Sequence, residues 1–193
     1  MNGVIEFPQL ETDRLILQEL THGDIPAVFA HFSNEEIARY QDAHPTKDND
    51  EAKEIIDWGK GLVEHNMGAL WGLFRQEDNA FLGQVNCVFR SDNNFSMYIH
   101  RAEIGYDMGP QYWGNGYMTE AVASVIPYIF TETKIDRIEA IIHPENTRSH
   151  NVVQRAGFQK EGTLRHYVFW ENEHWDMVIY SLLKPDWEAK ARL

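Results

Sequence analysis

A glycine-rich stretch in the second half of the chain carries the residue pattern best suited to chemistry. It comprises Gln111, Tyr112, Trp113, Gly114, Asn115, Gly116, Tyr117 and Met118, followed by Thr119 and Glu120. The stretch lies between a predicted strand and a predicted helix, so successive backbone N–H groups of the loop and first helical turn converge on one place. Glycines allow a ligand to approach that backbone closely. The pattern predicts an anion site of the kind that holds a diphosphate, and the alternative is that the glycines only permit an unusual turn.

Two familiar phosphate motifs do not describe this stretch. A P-loop requires Gly-Lys followed by Ser or Thr, and no such residues follow Gly116. The dinucleotide fingerprint requires a different glycine spacing and a parallel strand arrangement, whereas the strands before this loop have an antiparallel pattern. The sequence therefore predicts a diphosphate cradle of another type.

The elements that position this loop are recognisable from their hydrophobic periods. Residues 70–74 and 81–89 flank a Gln-Glu-Asp-Asn turn and predict an antiparallel hairpin, and residues 101–108 predict a third strand leading into the loop. A helix follows the glycines, since its apolar residues recur every three or four positions (Ala121, Val122, Val125, Ile126, Ile129 and Phe130). Pro127 lies inside this helix and is expected to bend it.

The rest of the chain completes a mixed sheet. Residues 14–19 predict a strand, and two helices are expected to follow, one through residues 25–32 and one from Asp48 or Asn49 to about Asn66. After the loop helix, residues 137–142 predict a strand, and Asn146 and Gly157 are typical of the two ends of a short helix. Residues 164–170 and 175–183 predict a closing strand pair. The fold class is α/β (α+β), in one domain over residues 1–193.

Composition and charge exclude several functions. The 193 residues include 17 Lys and Arg against 30 Asp and Glu, a net charge of −13, and we find no basic patch for nucleic acid. No apolar run approaches the length of a membrane span, and the N-terminus lacks the pattern of a secretion signal. The single Cys87 cannot form an internal disulfide, which favours the cytoplasm. The nine histidines lack a zinc motif, so no metal site is expected.

Four stretches in register resemble the GCN5-related N-acetyltransferases (GNAT), in particular the RimJ/RimL-like subgroup that acetylates ribosomal-protein N-termini. The Gln-x-x-Gly-x-Gly loop after Glu103-Ile104-Gly105-Tyr106-Asp107-Met108 resembles the acetyl-coenzyme A loop of the superfamily. Residues 10–17, the Asn146-Thr147-Arg148-Ser149 stretch with Ala156-Gly157-Phe158, and residues 180–183 are similar to further parts of the subgroup. The resemblance runs from about Leu10 to Trp187.

This resemblance implies a fold and a cofactor. It implies a twisted, mostly antiparallel mixed sheet flanked by helices and splayed between its fourth and fifth strands, with the pantetheine arm of acetyl-coenzyme A in the split. Backbone groups from Tyr106 to Met108 are then expected to face the pantetheine, and Asn146 to contact it or to serve as an ordinary helix cap, or both. The diphosphate is expected on Gln111, Trp113, Gly114, Asn115, Gly116, Tyr117 and Met118, and no metal is implied.

Two residues are candidates for catalysis. Only a neutral amine attacks a thioester, so the site needs a base or a water leading to one. The resemblance implies Glu103 as that base, although it is also one of 30 acidic residues that can lie on a solvated face. Ser149 matches the subgroup's hydroxyl beside the sulfur and can donate to the leaving thiolate, or it can simply fill the first turn of the helix. No tyrosine follows Ser149 that could act as the acid in its place, which favours Ser149 in this role.

The acceptor is expected to be an amine, and its identity stays open. The resemblance favours a protein N-terminus of the ribosomal-protein type, while a polyamine, an amino acid or an antibiotic is the alternative. The negative surface suits a cationic acceptor of either kind. A third hypothesis is a non-catalytic acyl-coenzyme A binder. Gln18 and the Asn172-Glu173-His174 turn depart from the subgroup pattern and affect the acceptor assignment. A homodimer is an expectation from the family.

Overall fold

A computed structural model describes residues 7–91 and 99–191. Its centre is an eight-stranded sheet in the order β1-β2-β3-β4-β5-β6-β8-β7, in which β5 and β6 are parallel and every other neighbouring pair is antiparallel. The strands are β1 (Leu10–Glu11), β2 (Leu15–Gln18), β3 (Gly68–Arg75), β4 (Phe81–Ser91), β5 (Ile99–Met108), β6 (Arg137–Ile142), β7 (Gln159–Trp170) and β8 (Glu173–Leu183).

The helices of the described residues begin and end as local chemistry dictates. They are α1 (Ile25–Phe32), α2 (Glu35–Ala38), α3 (Asn49–Glu64), α4 (Tyr117–Glu132), α5 (Thr147–Ala156) and α6 (Lys184–Ala191). The Asp48 carboxylate caps α3 by accepting from the N–H groups of Asp50 and Glu51. Gly157 closes α5 at a φ of +96°, which glycine adopts without strain. No described helix is long and apolar enough to cross a bilayer.

Two apolar cores lie on opposite faces of the sheet. The larger core packs α4 and α5 onto one face and includes Trp71, Val122 and Phe130. The smaller core packs α1 and α3 onto the other face through Val28, Ile56 and Leu70. Because side chains alternate along each strand, β4 and β5 present apolar residues to α4 and polar residues to the α1 side. The sheet is therefore buried on both faces over its central strands.

The sheet opens between its two parallel strands. Strand β5 pairs with β6 only at Arg101–Arg137, Ala102–Ile138 and Glu103–Glu139. Beyond Glu103 the strands diverge, while β5 stays paired with β4 through Met108 and β6 stays paired with β8 through Ile142. The backbone N–H and C=O groups on the two facing edges thus lack a ladder partner and require another one.

Most of the predicted elements are confirmed. The strand over residues 137–142 and the helix between Asn146 and Gly157 have the expected limits, and the split lies between the fourth and fifth predicted strands. The two-residue β1, the single turn α2 and the short polar α6 were not predicted, because none has a hydrophobic repeat long enough to identify it. The edge strand β7 begins at Gln159 and not at the predicted Leu164. Its first residues are polar, so the hydrophobic pattern did not indicate them. Helix α4 runs through Pro127 without interruption.

Candidate active site

A cleft of about 740 Å³ occupies the split between β5 and β6. Its walls come from β5, β6, the loop before α4, the first turn of α4, helix α5, helix α2 and strand β7. The predicted site residues that line it are Glu103, Tyr106, Met108, Trp113, Gly114, Gly116, Tyr117, Met118, Asn146 and Ser149. One cleft therefore contains residues that lie far apart in the sequence.

The loop before α4 presents unbonded backbone amides. Gly114 and Gly116 have φ values of +79° and +81°, and a Cβ built on Gly114 would meet no atom within 4 Å. In the described part of the chain, the backbone N–H groups of residues 114–119 donate to no protein acceptor, and the first bond of α4 is that from Glu120 N–H to the Gly116 carbonyl. A series of free amides at the positive end of a helix is suited to an anion.

Arginine side chains surround this loop. The Arg148 guanidinium, from the first turn of α5, lies 3.6 Å from the centroid of the Trp113 ring. Arg14 donates to the Asn115 carbonyl at 3.0 Å and lies 4.5 Å above the Tyr117 ring. These cations supply positive charge beside the loop, in a protein whose net charge is −13.

Arg14 also connects the loop to the start of the chain. Its Nε donates to Glu120 at 2.7 Å, and the Thr12 hydroxyl donates to the same carboxylate at 2.6 Å. Partial burial by itself would raise the pKa of Glu120, but the hydrogen bonds from Thr12 and Arg14 outweigh it and lower that pKa. The N-terminal strand pair thus fixes the first turn of α4, on which the amides depend.

Tyr106 connects the two walls of the split. Its hydroxyl donates to the Ser149 carbonyl at 3.1 Å, joining β5 to the first turn of α5. Burial raises the pKa of the Tyr106 hydroxyl, so it stays protonated and acts as a donor. The Met108 carbonyl accepts from Trp113 Nε1 at 2.7 Å, which fixes the start of the loop and occupies that carbonyl.

The start of α5 combines a structural cap with a free hydroxyl. Asn146 Oδ1 accepts from the Ser149 N–H at 3.2 Å, which confirms the predicted cap. The Ser149 hydroxyl makes no hydrogen bond to any described residue and lines the cleft. It is therefore available to a group bound in the split.

Glu103 lies where the strands begin to diverge. Its carboxylate accepts from Arg90 Nε at 3.1 Å, and its side chain is 31% exposed. The contact with Arg90 holds the carboxylate in this position. Glu103 lines the cleft and forms the last β5–β6 pair, with Glu139.

Two predicted cofactor residues do not line the cleft. Gln111 is exposed, and its amide lies against Gly109, where an added Cβ would meet Nε2 and Oε1 at 2.9 Å. The Asn115 side chain donates to the carbonyls of Tyr112 and Trp113 and so stabilises the turn. For Asn115 only the backbone N–H is available to a ligand, and Gln111 acts as packing for the turn.

Charged side chains of both signs line the cleft. Arg148, which stacks on Trp113 of the amide loop, and Arg155 are the arginines, and the carboxylates are Glu36, Asp42, Glu103 and Asp107. A cleft with both signs of charge can take an anionic group and a cationic group. Among the described residues, no group of three or more His, Cys, Asp or Glu side chains could hold a metal ion.

Several residues of the cleft were not identified from the sequence. The sequence contained one indication that Arg148 is functional. A cation in the first turn of a helix is unfavourable with the helix dipole, so it requires another partner. Gln84, Asn86 and Asp107 form the floor on the α1 side, and His31 contacts Asp107. No local pattern identifies them, because strand pairing and helix packing bring them together. Cys87 is a buried free thiol, and burial raises its pKa.

Comparisons with known proteins agree with this geometry. Residues 14–159 match the family model described as an acetyltransferase (GNAT) domain. The chain is 35% identical over 179 residues to the uncharacterized N-acetyltransferase YoaA of Bacillus subtilis (strain 168), covering 93% of this chain and 98% of the relative. It is 32% identical over 125 residues to the ribosomal protein uS5-alanine N-acetyltransferase of Escherichia coli (strain K12), covering 64% of this chain and 62% of that protein.

Solved structures share the fold. RimL, a ribosomal L7/L12 alpha-N-protein acetyltransferase solved in complex with coenzyme A, superposes with a TM-score of 0.78 at 18% identity, covering 91% of this chain and 98% of RimL. At that identity the likeness shows the fold alone.

Proposed function

This chain belongs to the GNAT acetyltransferase family, and we propose that it transfers the acetyl group of acetyl-coenzyme A to the α-amino group of a protein N-terminus. The observation that carries the proposal is the row of unbonded amides at residues 114–119 beside a split sheet. A cofactor with a diphosphate and an amide-containing arm needs both features in one continuous cleft. The RimL neighbour with bound coenzyme A supports this cosubstrate.

The cleft fits that cofactor along its length. The free amides and Arg148 suit the diphosphate, and the unpaired edges of β5 and β6 suit the amides of the pantetheine arm. The proposed thioester position is where the strands converge, near Glu103 and the free hydroxyl of Ser149. Asn146 shapes this position by capping α5.

The acidity of the amine favours an N-terminal acceptor. An α-amine with a pKa of about 7.8 is roughly one-third neutral at pH 7.5, whereas a lysine-type amine with a pKa of about 10.4 is only about 0.1% neutral. An α-amine therefore demands less of its base. The uS5-alanine acetyltransferase similarity supports the same class of acceptor.

The residues divide the reaction between them. In this proposal the amine nitrogen forms a bond to the thioester carbonyl carbon, and the carbon–sulfur bond breaks as the tetrahedral species collapses. Glu103 takes the proton that the nitrogen loses, directly or through a water molecule. The Ser149 hydroxyl donates a hydrogen bond to the departing thiolate. The proton that Glu103 has taken then passes to the thiolate through solvent, so a neutral amine and acetyl-coenzyme A give an amide and the coenzyme A thiol.

A small amine is the second candidate acceptor, and one observation favours it. The His44 ring lies 4.7 Å from the Trp170 ring, and its Nδ1 lies 3.7 Å from a Glu171 carboxylate oxygen. These contacts join the segment after α2 to the β7–β8 hairpin, and Ala43 and Tyr167 from these two segments line the cleft, as an enclosed site for a small amine requires. Cytoplasmic location belongs to the proposal as well, since the buried thiol of Cys87 has no partner for a disulfide.

An acceptor screen tests the proposal. Purified protein and labelled acetyl-coenzyme A are incubated with N-terminal peptides, polyamines, amino acids and aminoglycosides, and the site of label is mapped by mass spectrometry. We expect label on peptide α-amines. Label on small amines alone would support the second candidate, and tight coenzyme A binding without transfer to any amine would indicate a non-catalytic binder.

A further inference from the structure

On the side of the sheet that faces α1, the cleft is lined by buried and half-buried polar side chains that the proposed reaction does not use. Gln84 and Asn86 of β4 and Asp107 of β5 all line the cleft. The strand register places Gln84 opposite Asp107 and Asn86 opposite Gly105. Directly opposite residues have their Cβ atoms about 4.5–5.5 Å apart on one face. The three side chains are therefore contiguous, and we call Gln84, Asn86 and Asp107 the polar floor.

His31 holds the carboxylate of this floor in place. Its Nε2 lies 2.5 Å from Asp107 Oδ1, and the two side chains are only 5% and 8% exposed. The imidazole packs edge-on against Phe32 at 4.8 Å and Phe81 at 5.5 Å. A ring enclosed in this way cannot swing aside, so the carboxylate is fixed. Asp107 Oδ2 makes no hydrogen bond to any described residue.

The two amides of the floor have no protein partner. Gln84 is 5% exposed, and its Oε1 is buried without a hydrogen bond. Asn86 makes no side-chain hydrogen bond within the described chain, and its amide lies against Gly105, where an added Cβ would approach it to 2.9 Å. A half-turn about χ3 exchanges Oε1 and Nε2 of Gln84, so that it offers either to a ligand. The buried Gln84 oxygen is unfavourable unless a ligand bonds it, and the half-buried Asn86 amide is available to the same ligand.

The chemistry of the floor selects one class of ligand. A fixed carboxylate oxygen and two amide oxygens together accept hydrogen bonds from a nitrogen with several N–H donors and a positive charge. An anion would be repelled by Asp107 and Glu103, and an alkyl group would leave all three side chains unsatisfied. Glu103 lies on the same strand face four residues before Asp107, about 13 Å away along the strand.

We propose that the polar floor binds a second cationic nitrogen of the acceptor, separated by several bonds from the amine that is acetylated. This inference rests on the proposed function and specifies its substrate class. The cationic group is either a basic side chain close to a protein N-terminus or the second ammonium of a diamine. Asp107 supplies the countercharge, His31 positions it, and Gln84 and Asn86 complete the hydrogen bonds.

Matched acceptors that differ only in this charge test the inference. One pair consists of N-terminal peptides with arginine or citrulline as the second residue, and the other of putrescine and aminobutanol. Each compound is titrated calorimetrically into the coenzyme A complex of the full chain, so that the readout does not need turnover. We expect the cationic member of at least one pair to bind about tenfold more tightly or better, as for a charged hydrogen bond.

Two variants and one control assign that preference to the polar floor. Asp107→Asn should reduce the ratio within the pair to about twofold, because the amide keeps the shape but not the charge. Asn86→Ala breaks no protein hydrogen bond and should lower the ratio partly, which keeps the test valid if the Asp107 variant folds poorly. Asp57→Asn is the matched control, since it breaks an exposed His–Asp contact, His22–Asp57 at 2.6 Å, outside the cleft.

Each outcome is informative. A preference in the peptide pair alone identifies an N-terminal acceptor, and one in the putrescine pair alone identifies a small amine. Equal binding within both pairs overturns the inference, as does an unchanged ratio in both Asp107→Asn and Asn86→Ala with normal coenzyme A affinity. A preference without acetyl transfer to any member would support the cation site and contradict the proposed transferase function.

Discussion

The Arg148 guanidinium stacks on the Trp113 indole at 3.6 Å and so joins the first turn of α5 to the amide loop before α4. The contact fixes a positive charge beside the free N–H groups of residues 114–119. A cation at the beginning of a helix is unfavourable with the helix dipole, and stacking on an aromatic ring compensates only in part. In the proposed function, the diphosphate of acetyl-coenzyme A is the further partner of Arg148.

We expect Arg148→Ala to weaken acetyl-coenzyme A binding about tenfold, because a charge-assisted contact to phosphate is lost. The loss should shrink at high salt and should be absent for S-acetylpantetheine, which has no phosphate. Calorimetry with both ligands measures it. Arg165→Ala removes an exposed arginine of β7 and serves as the control. An equal loss with both ligands would mean that Arg148 acts through the fold rather than through the phosphate.

Gly116→Trp should abolish measurable binding of coenzyme A, because the indole would fill the space that the diphosphate needs. Gly116 has a φ of +81°, so backbone strain must be separated from steric exclusion. Gly157→Ala introduces comparable strain at the end of α5, and Gly162→Trp adds the same bulk to β7 outside the cleft. Both should retain affinity. Unchanged affinity in Gly116→Trp would count against the cradle.

Glu103→Gln and Ser149→Ala should lower kcat much more than they change acetyl-coenzyme A affinity, because both groups act on charge that develops during reaction. The expected decrease for Glu103→Gln is about a hundredfold, typical of a lost general base. Steady-state kinetics with the acceptor found by the screen gives kcat and KM separately.

Matched variants distinguish catalysis from structural support at these two positions. Arg90→Gln breaks the same ion pair as Glu103→Gln but leaves the carboxylate, so it should keep most of the turnover. Ser149→Thr keeps the hydroxyl and should recover part of the rate lost in Ser149→Ala. Full turnover in both Glu103→Gln and Ser149→Ala would refute the assigned roles.

The β6 wall of the split should lose stability in acid through Glu161. Arg137 donates to Glu161 at 2.8 and 2.6 Å and also to Glu139 at 2.7 Å. Hydrogen bonds from Arg137 and then Ser181 lower the pKa of Glu161 from its ordinary 4.5 to about 2. A lowered pKa contributes stability above the unfolded value, and this contribution is lost as the pH falls from about 4.5 to about 2.

We therefore expect wild-type protein to be more stable than Glu161→Gln at pH 7, with a difference that disappears in this acidic range. Urea unfolding at several pH values measures the two free energies of unfolding. The contribution is modest because Glu161 is 41% exposed. A difference that is constant from neutral to acidic pH would show that the substitution acts through packing instead.

Local chemistry made part of the site predictable, and long-range packing determined the rest. The Asn146 cap and the Gly157 end of α5 follow from neighbouring residues, and the glycine loop follows from its position between a strand and a helix. The His31–Asp107 contact joins residues 76 positions apart, which no local pattern indicates. Gln111 belongs to the loop motif, yet its side chain turns back onto Gly109, a direction that composition and spacing do not encode.

Amide-proton NMR of isotope-labelled protein during a coenzyme A titration tests the central claim most directly. We predict that the backbone amides of residues 114–119 move downfield and become the most perturbed resonances, because they acquire a phosphate acceptor that they lack in the free protein. S-acetylpantetheine should leave them nearly unchanged. Saturating coenzyme A that shifts other regions while these amides stay in place would contradict the account.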